Sequence, residues 1–210
     1  KLSRAPTPYA AFWGHDAKCV YTIAQEPNRH LSPLPRAKKG RSLRRVELLW
    51  PRAAKILIAE RLRLNTQRLV SVRLPEPVLS NTWWPFSLTV EQLAEQREKA
   101  LGLWLNSTLG FLILLLHRVE TEGAWVKFKK PLLASLPVLD VQALAVPELE
   151  ALASAYDGLS SEVLTPFPGI NTDAVRARID GVIARVLRLP DVSVFRDLLA
   201  REPVVCLKRL

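Results

Sequence analysis

The 210-residue chain has no methionine, two cysteines and three histidines, and its eight glycines are scattered. Each shortage excludes something. Cys19 and Cys206 are too few and too far apart for a disulfide framework or a thiolate metal site, and are expected as small buried apolar residues. His15, His30 and His117 fall in three different predicted elements, which denies zinc a clustered ligand set. His15-Asp16 is a pair only by adjacency, and adjacent side chains rarely face one another, so a satisfied structural histidine is expected. No two glycines form G-x-G, so the close backbone approach that a nucleotide-like cofactor needs has no candidate turn. A magnesium nuclease would need two or three carboxylates around a basic residue, whereas the acids of the last seventy residues read as solvated helix faces. The expectation is a chain with no catalytic, metal or cofactor site of its own. The missing methionine and the opening Lys1-Leu2-Ser3 predict a piece of a longer polypeptide.

Long hydrophobic runs are scarce too. Leu101 to Leu116 is strongly apolar but is interrupted by Asn106, Ser107 and Thr108, and neither half reaches the roughly 18–20 residues that span a bilayer. This predicts a buried core helix in a cytoplasmic protein with no membrane partner.

What is present is a core and a charge. With 49% hydrophobic and 24% charged residues, a chain of this size buries roughly 70% of the surface its unfolded form exposes. The net charge of +10 is not spread evenly. Residues 29–73 hold thirteen Lys and Arg against Glu47 and Glu60, a net of +11, while the other 165 residues carry 17 basic against 18 acidic side chains, a net of −1. Charge segregated in this way is the footprint of polyanion contact, with nucleic acid ahead of a membrane surface.

The order of elements predicts an α+β fold: a small mixed sheet packed on a long buried helix, followed by a helical tail. Residues 1–16 read as an irregular lead-in pinned by aromatics, 17–25 as a strand, 27–40 as a basic loop, and 43–55 as a short helix interrupted at Pro51. Strands are expected over 55–60 and 68–74, with alternation carrying Arg73 outward from an apolar face. Pro75 and Pro77 then predict an exposed connection. Thr89 and Gln92 have capping-box spacing, which starts one helix from about Val90 to His117 with a stripe of Leu101, Leu105, Leu109, Leu112 and Leu116. Thr121-Glu122-Gly123 is expected to end it, Trp125 to Phe128 to be extended, and Lys129-Lys130-Pro131 to open a short helix. Three amphipathic helices follow at 141–157, 172–188 and 191–200. The division is 1–140, a target-recognition-like domain, and 141–210, a helical layer.

The polar residues inside the basic segment form a binding kit. Arg61, Arg63, Asn65, Thr66, Gln67, Arg68 and Arg73 lie within thirteen residues. Arginine can read guanine and Asn or Gln adenine in the major groove, while surplus cations hold phosphates. Lys127, Lys129 and Lys130 form a second basic cluster beside Trp125. Trp83 and Trp84 either stack on an exposed base or anchor the core.

With these residues identified, the chain resembles the C-terminal target-recognition region of class I S-adenosylmethionine-dependent DNA methyltransferases of the N6-adenine type, in the large modification and phage-defence enzymes related to Type IIG restriction-modification proteins. The resemblance rests on Lys55 to Arg63, on Leu79-Ser80-Asn81-Thr82-Trp83-Trp84-Pro85, above all on Trp104-Leu105-Asn106-Ser107-Thr108-Leu109-Gly110, and on Trp125 to Lys130 with Leu136-Pro137-Val138. It covers roughly residues 45–140. It implies double-stranded DNA as partner, and the two basic clusters supply the expected contacts, Arg61, Arg63, Asn65, Arg68 and Arg73, with Lys127, Lys129 and Lys130 on phosphates. It also implies an upstream methyltransferase domain that binds S-adenosyl-L-methionine and flips the adenine, with other defence-system proteins as further partners. The Asn/Asp-Pro-Pro-aromatic motif of that domain does not occur here, and Asn106 and Ser107 are expected to bridge helix to neighbouring backbone. The competing expectation is a non-enzymatic nucleic-acid or protein interaction module of a defence complex.

Overall fold

Ile56-Leu57-Ile58-Ala59 is an unbroken apolar run, and it lies at the heart of the sheet. In the computed structural model, which describes residues 1–37, 39–40, 42–120 and 125–206, the sheet begins with β1 (Leu2–Ser3), β2 (Ala10–Phe12) and β3 (Arg29–Leu31). A single helical turn, α1 (Val46–Leu49), and a 3-10 turn (Trp50–Arg52) lead into β4 (Ala54–Ala59). The short β5 (Arg61–Arg63), the long β6 (Ser71–Ser80) and β7 (Trp83–Phe86) follow. The six-stranded sheet has the order β1-β3-β2-β6-β4-β7. β2 pairs with β6 in parallel and β4 pairs with both neighbours antiparallel, so the sheet is mixed. Buried on both sides from Ile56 to Ala59, β4 needs the apolar run that its sequence supplies after Lys55.

The fold is α+β, with a helical tail as expected, but several elements depart from the sequence pattern for identifiable reasons. Residues 17–25 form turns in place of a strand, because the Asp16 carboxylate accepts from Lys18 N at 2.9 Å and its carbonyl from Cys19 N and Val20 N. An Asp side chain bonded to backbone two residues on is a turn former. Only Ala24 makes a bridge, to Arg73. The irregular lead-in contains β2, whose Ala10, Ala11 and Phe12 are all buried, and the 27–40 loop contains β3. The connection at Pro75 and Pro77 is part of β6. The β4–β6 register shifts between Ala54 and Ile56, so Pro75-Glu76-Pro77 protrudes, exposed, where no ladder N–H is required.

The largest departure is the long helix. It is two helices, α2 (Ala94–Leu105) and α3 (Thr108–Leu116), bent by 68° at Asn106-Ser107. The Ser107 side chain accepts from Gly110 N at 3.1 Å and so starts α3 afresh. Gly110 is required by this geometry: a Cβ there would collide with the Trp104 carbonyl oxygen and lie 2.9 Å from Leu105 Cα. The leucine stripe therefore does not stay on one face, with Leu101 and Leu105 buried but Leu116 70% exposed. The Thr89–Gln92 capping box does not form. Leu93 precedes α2 in the left-handed region at φ 53°, with no side-chain cap.

Beyond α3 lie β8 (Val119–Glu120), β9 (Trp125–Lys127) and α4 (Lys130–Leu133). The expected break at Thr121-Glu122-Gly123 lies outside the described residues, as do Lys38 and Arg41 of the basic stretch. The tail comprises α5 (Val146–Leu159), a 3-10 segment (Phe167–Thr172), α6 (Ala174–Leu187), α7 (Ser193–Arg201) and α8 (Pro203–Cys206). One apolar cluster runs from Ala10 to Val205, so the sheet, the bent helix pair and the tail share a core. Among the described residues no single helix is long and apolar enough to cross a membrane.

Candidate nucleic-acid interface

Arg61-Leu62-Arg63 and Trp125-Val126-Lys127 are two alternating triplets more than sixty residues apart in sequence, and the fold pairs them. β5, β9 and β8 form a separate three-stranded antiparallel sheet, with Arg61 opposite Lys127, Leu62 opposite Val126 and Arg63 opposite Trp125. The period of two sends Leu62 and Val126 into the core, fully buried, and leaves Arg61, Arg63, Trp125 and Lys127 exposed on the other face. The Arg61 guanidinium lies over the Trp125 ring, 5.3 Å from its centroid. The Glu60 carboxylate lies 3.7 Å from Lys127 Nζ. The chain then passes through Phe128, whose N–H donates to Glu60 O at 2.8 Å, to the exposed Lys129 and Lys130.

Like charges set directly opposite on a sheet face are unfavourable for folding, and Arg61 faces Lys127 in that way. The arrangement gives this face a local excess of positive charge around an aromatic ring, which suits an anionic ligand.

The remaining candidates point into the protein. Arg73 is not carried outward: its side chain is 10% exposed, its Nη2 lies 3.1 Å from Glu98, and its guanidinium sits 5.9 Å from the Tyr156 ring centroid. Strand β6 packs on α2 on that side, so the outward-facing alternate position meets a helix. Arg68 donates from Nη1 to Leu164 O at 2.9 Å. Asn65 is half-buried, with its Oδ1 shielded from solvent and without a hydrogen-bond partner. Gln67 is buried and organises the turn, accepting from Arg63 N at 2.5 Å and donating to His15 O at 3.0 Å. Trp83 is a core anchor: it is 2% exposed, donates to Gly14 O at 2.8 Å, and packs on Phe12 and His15. A base cannot reach it. Trp84 is partly buried, donates to Phe128 O at 3.3 Å, and has Lys130 Nζ 6.0 Å from its ring centroid. The structure thus assembles Arg61, Arg63, Lys127, Lys129 and Lys130 in one region and turns Asn65, Arg68 and Arg73 away from it. The aromatic on the exposed face is Trp125, which sequence reasoning placed beside a basic cluster without giving it a role. Its signal was the alternation Trp-Val-Lys.

Behind this face a buried polar junction fixes the turn that carries β5 into β6. Asn106 is fully buried; its Oδ1 accepts from Val70 N and Ser71 N, and its Nδ2 donates to Ser71 O, Ser71 Oγ and Gly102 O. The side chain therefore joins the helix break to the edge of β6. Arg176, on α6 and fully buried, donates to Asn106 O and, at 2.7 Å, to Arg68 O. Burial pushes its guanidinium below the ordinary arginine value, opposed by the carboxylates of Asp173 and Asp180. Asp180 accepts from Thr108 N and Thr108 Oγ1 at the start of α3, and from Arg196 at 2.5 Å. Phe167 N donates to Gln67 O at 3.1 Å, so the tail grips the same turn again. Nothing in an amphipathic pattern distinguished Arg176 from a surface arginine, and this residue went unrecognised in the sequence.

Among the described residues no group of three or more His, Cys, Asp or Glu could hold a metal ion. His15 is held neutral, its imidazole lowered to about 3 by burial, with neither ring nitrogen hydrogen-bonded. Compared with protein-family models, curated proteins and solved structures, the chain matches none of them.

Proposed function

We propose that this chain is the DNA-recognition region of an adenine-specific DNA methyltransferase of the restriction-modification or phage-defence kind. In this reading it holds duplex DNA for base flipping and methylation by a catalytic domain outside the chain. The observation that carries the DNA-binding part is the exposed β5–β9 face, where Arg61, Arg63 and Lys127 surround Trp125 with Arg61 directly opposite Lys127. Arg61 and Arg63 stand on β5, an edge strand of the three-stranded sheet, where long side chains can reach into a major groove roughly 12 Å wide. Arg61 and Arg63 project as base-edge readers, and Lys129 and Lys130 meet the flanking phosphates. The parent enzyme, by the resemblance of the Asn106-Ser107 region and its neighbours, works in the cytoplasm with S-adenosyl-L-methionine. The scattered glycines do not fit the cofactor's cradle, and no step of methyl transfer belongs to this chain.

Fluorescence anisotropy of labelled duplexes against the purified chain tests the reading. Wild type should bind with affinity that falls linearly on a log–log plot against salt, and R61Q/R63Q/K127Q should bind about 10- to 100-fold more weakly at moderate salt. Equal affinity of the triple variant and wild type would falsify the assignment of this face.

A further inference from the structure

Five other cations stand apart from this face and share a property that the interior arginines lack. Arg44 and Arg45 immediately precede α1, Arg52 closes the 3-10 turn after it, and Arg36 and Lys39 lie in the preceding loop. All five are exposed, and none of their side chains has a hydrogen-bond or ion-pair partner among the described residues. Glu47, the one acid on α1, is exposed and makes no ion pair there. The backbone that carries Arg44, Arg45 and Arg52 is nevertheless anchored. Val46 is buried, and the Trp50 ring meets Tyr9 edge-on at 5.2 Å between centroids. Charges held at a fixed place with no internal partner are available to an external polyanion.

We infer that Arg44, Arg45 and Arg52, with Arg36 and Lys39, form a second DNA contact that holds phosphates without reading sequence. The inference rests on the duplex contact proposed for the β5–β9 face and adds a division of labour to it. The two surfaces adjoin opposite ends of β4, whose six residues span about 17–20 Å. That is roughly half of the 34–36 Å helical turn of duplex DNA, the span that a duplex touching both would cover. Their chemistry differs as well. The β5–β9 face presents guanidinium groups on a regular strand beside an aromatic ring, a placement fixed enough for base edges. The second surface offers Arg and Lys from a loop and a one-turn helix with no Asn, Gln or exposed aromatic among the five, which matches phosphates, where position along the duplex matters less than charge.

The experiment compares the whole chain with R36Q/K39Q/R44Q/R45Q/R52Q and with R61Q/R63Q/K127Q on a panel of duplexes of different sequence, at several salt concentrations. The five-residue variant should weaken binding by a similar factor on every duplex, leave the ranking among duplexes unchanged, and lower the log–log salt slope by about 0.9 for each phosphate contact removed. The three-residue variant should compress or reorder the ranking. An unchanged slope and affinity in the five-residue variant overturns the second contact and leaves the first standing. An unchanged ranking and affinity in the three-residue variant overturns the first contact. Competition by polyglutamate as effective as duplex DNA at matched charge overturns the phosphate assignment in favour of an acidic protein. Circular dichroism of each variant matching wild type shows that the changes are confined to the surface.

Discussion

Arg176 and Arg61 are the same residue type in opposite situations. Arg176 is sealed inside, with two backbone carbonyls and the carboxylates of Asp173 and Asp180 around it. Arg61 is exposed on a strand opposite a lysine, with a tryptophan ring as its neighbour. The first charge is consumed by the fold: it ties the β5–β6 turn, the helix break and the tail together. The second stands on the surface opposite a like charge on its partner strand. The contrast separates arginines that build the molecule from arginines left over for another molecule, and it assigns Arg68 and Arg73 to the builders along with Arg176.

Removing a builder should have the largest effect. Arg176→Met leaves Asp173 buried beside no cation and the carbonyls of Asn106 and Arg68 without their donor. The expected loss is about 3–5 kcal/mol of unfolding free energy, measured by urea denaturation. A loss below about 1 kcal/mol would place the junction outside the stabilising core. Protonating the interior comes next. The His15 imidazole titrates near 6.5 when unfolded and about 3 when folded, so between those values the unfolded chain binds more protons and stability rises with pH. Through that window the His15 contribution should reach about 1.4 kcal/mol per pH unit. A His15→Phe chain should lose that component of the slope in parallel denaturation series, and identical slopes would show that His15 is solvated. The smallest effect belongs to the leftover charges: R61Q/R63Q/K127Q should change stability by no more than about 0.5 kcal/mol, because relief of the Arg61–Lys127 opposition is offset by loss of the Arg61–Trp125 contact and the Lys127–Glu60 pair. A marked destabilisation would move Arg61 into the class of Arg176.

Much of the secondary structure was legible because its signals are local. The apolar run of β4 and the periodic tail helices lie within a few residues of their expected positions. The segment at 17–25 misled because β-branched composition was outweighed by one aspartate that caps a turn. The helix at 94–116 misled because its apolar pattern is continuous while its backbone is not. Asn106 gives its side chain to β6, and that preference for a distant strand over the helix is invisible to periodicity. Of the candidate contact residues, Arg61, Arg63, Lys127, Lys129 and Lys130 were identifiable from charge and alternation. Arg73 was not, because alternation assigns a side to a residue and cannot say what occupies that side.

The sequence by itself determined where the positive charge lies, which triplets alternate, and that no two glycines stand in a G-x-G pattern. These are properties of composition and of neighbours within a turn or a strand. Only the tertiary structure decided that Arg61-Leu62-Arg63 pairs with Trp125-Val126-Lys127, that the long helix bends, and that Arg68, Arg73 and Arg176 face inward. Strand pairing and the partner of a buried charge depend on which distant surfaces close on each other, and that closure is settled by packing across the whole core.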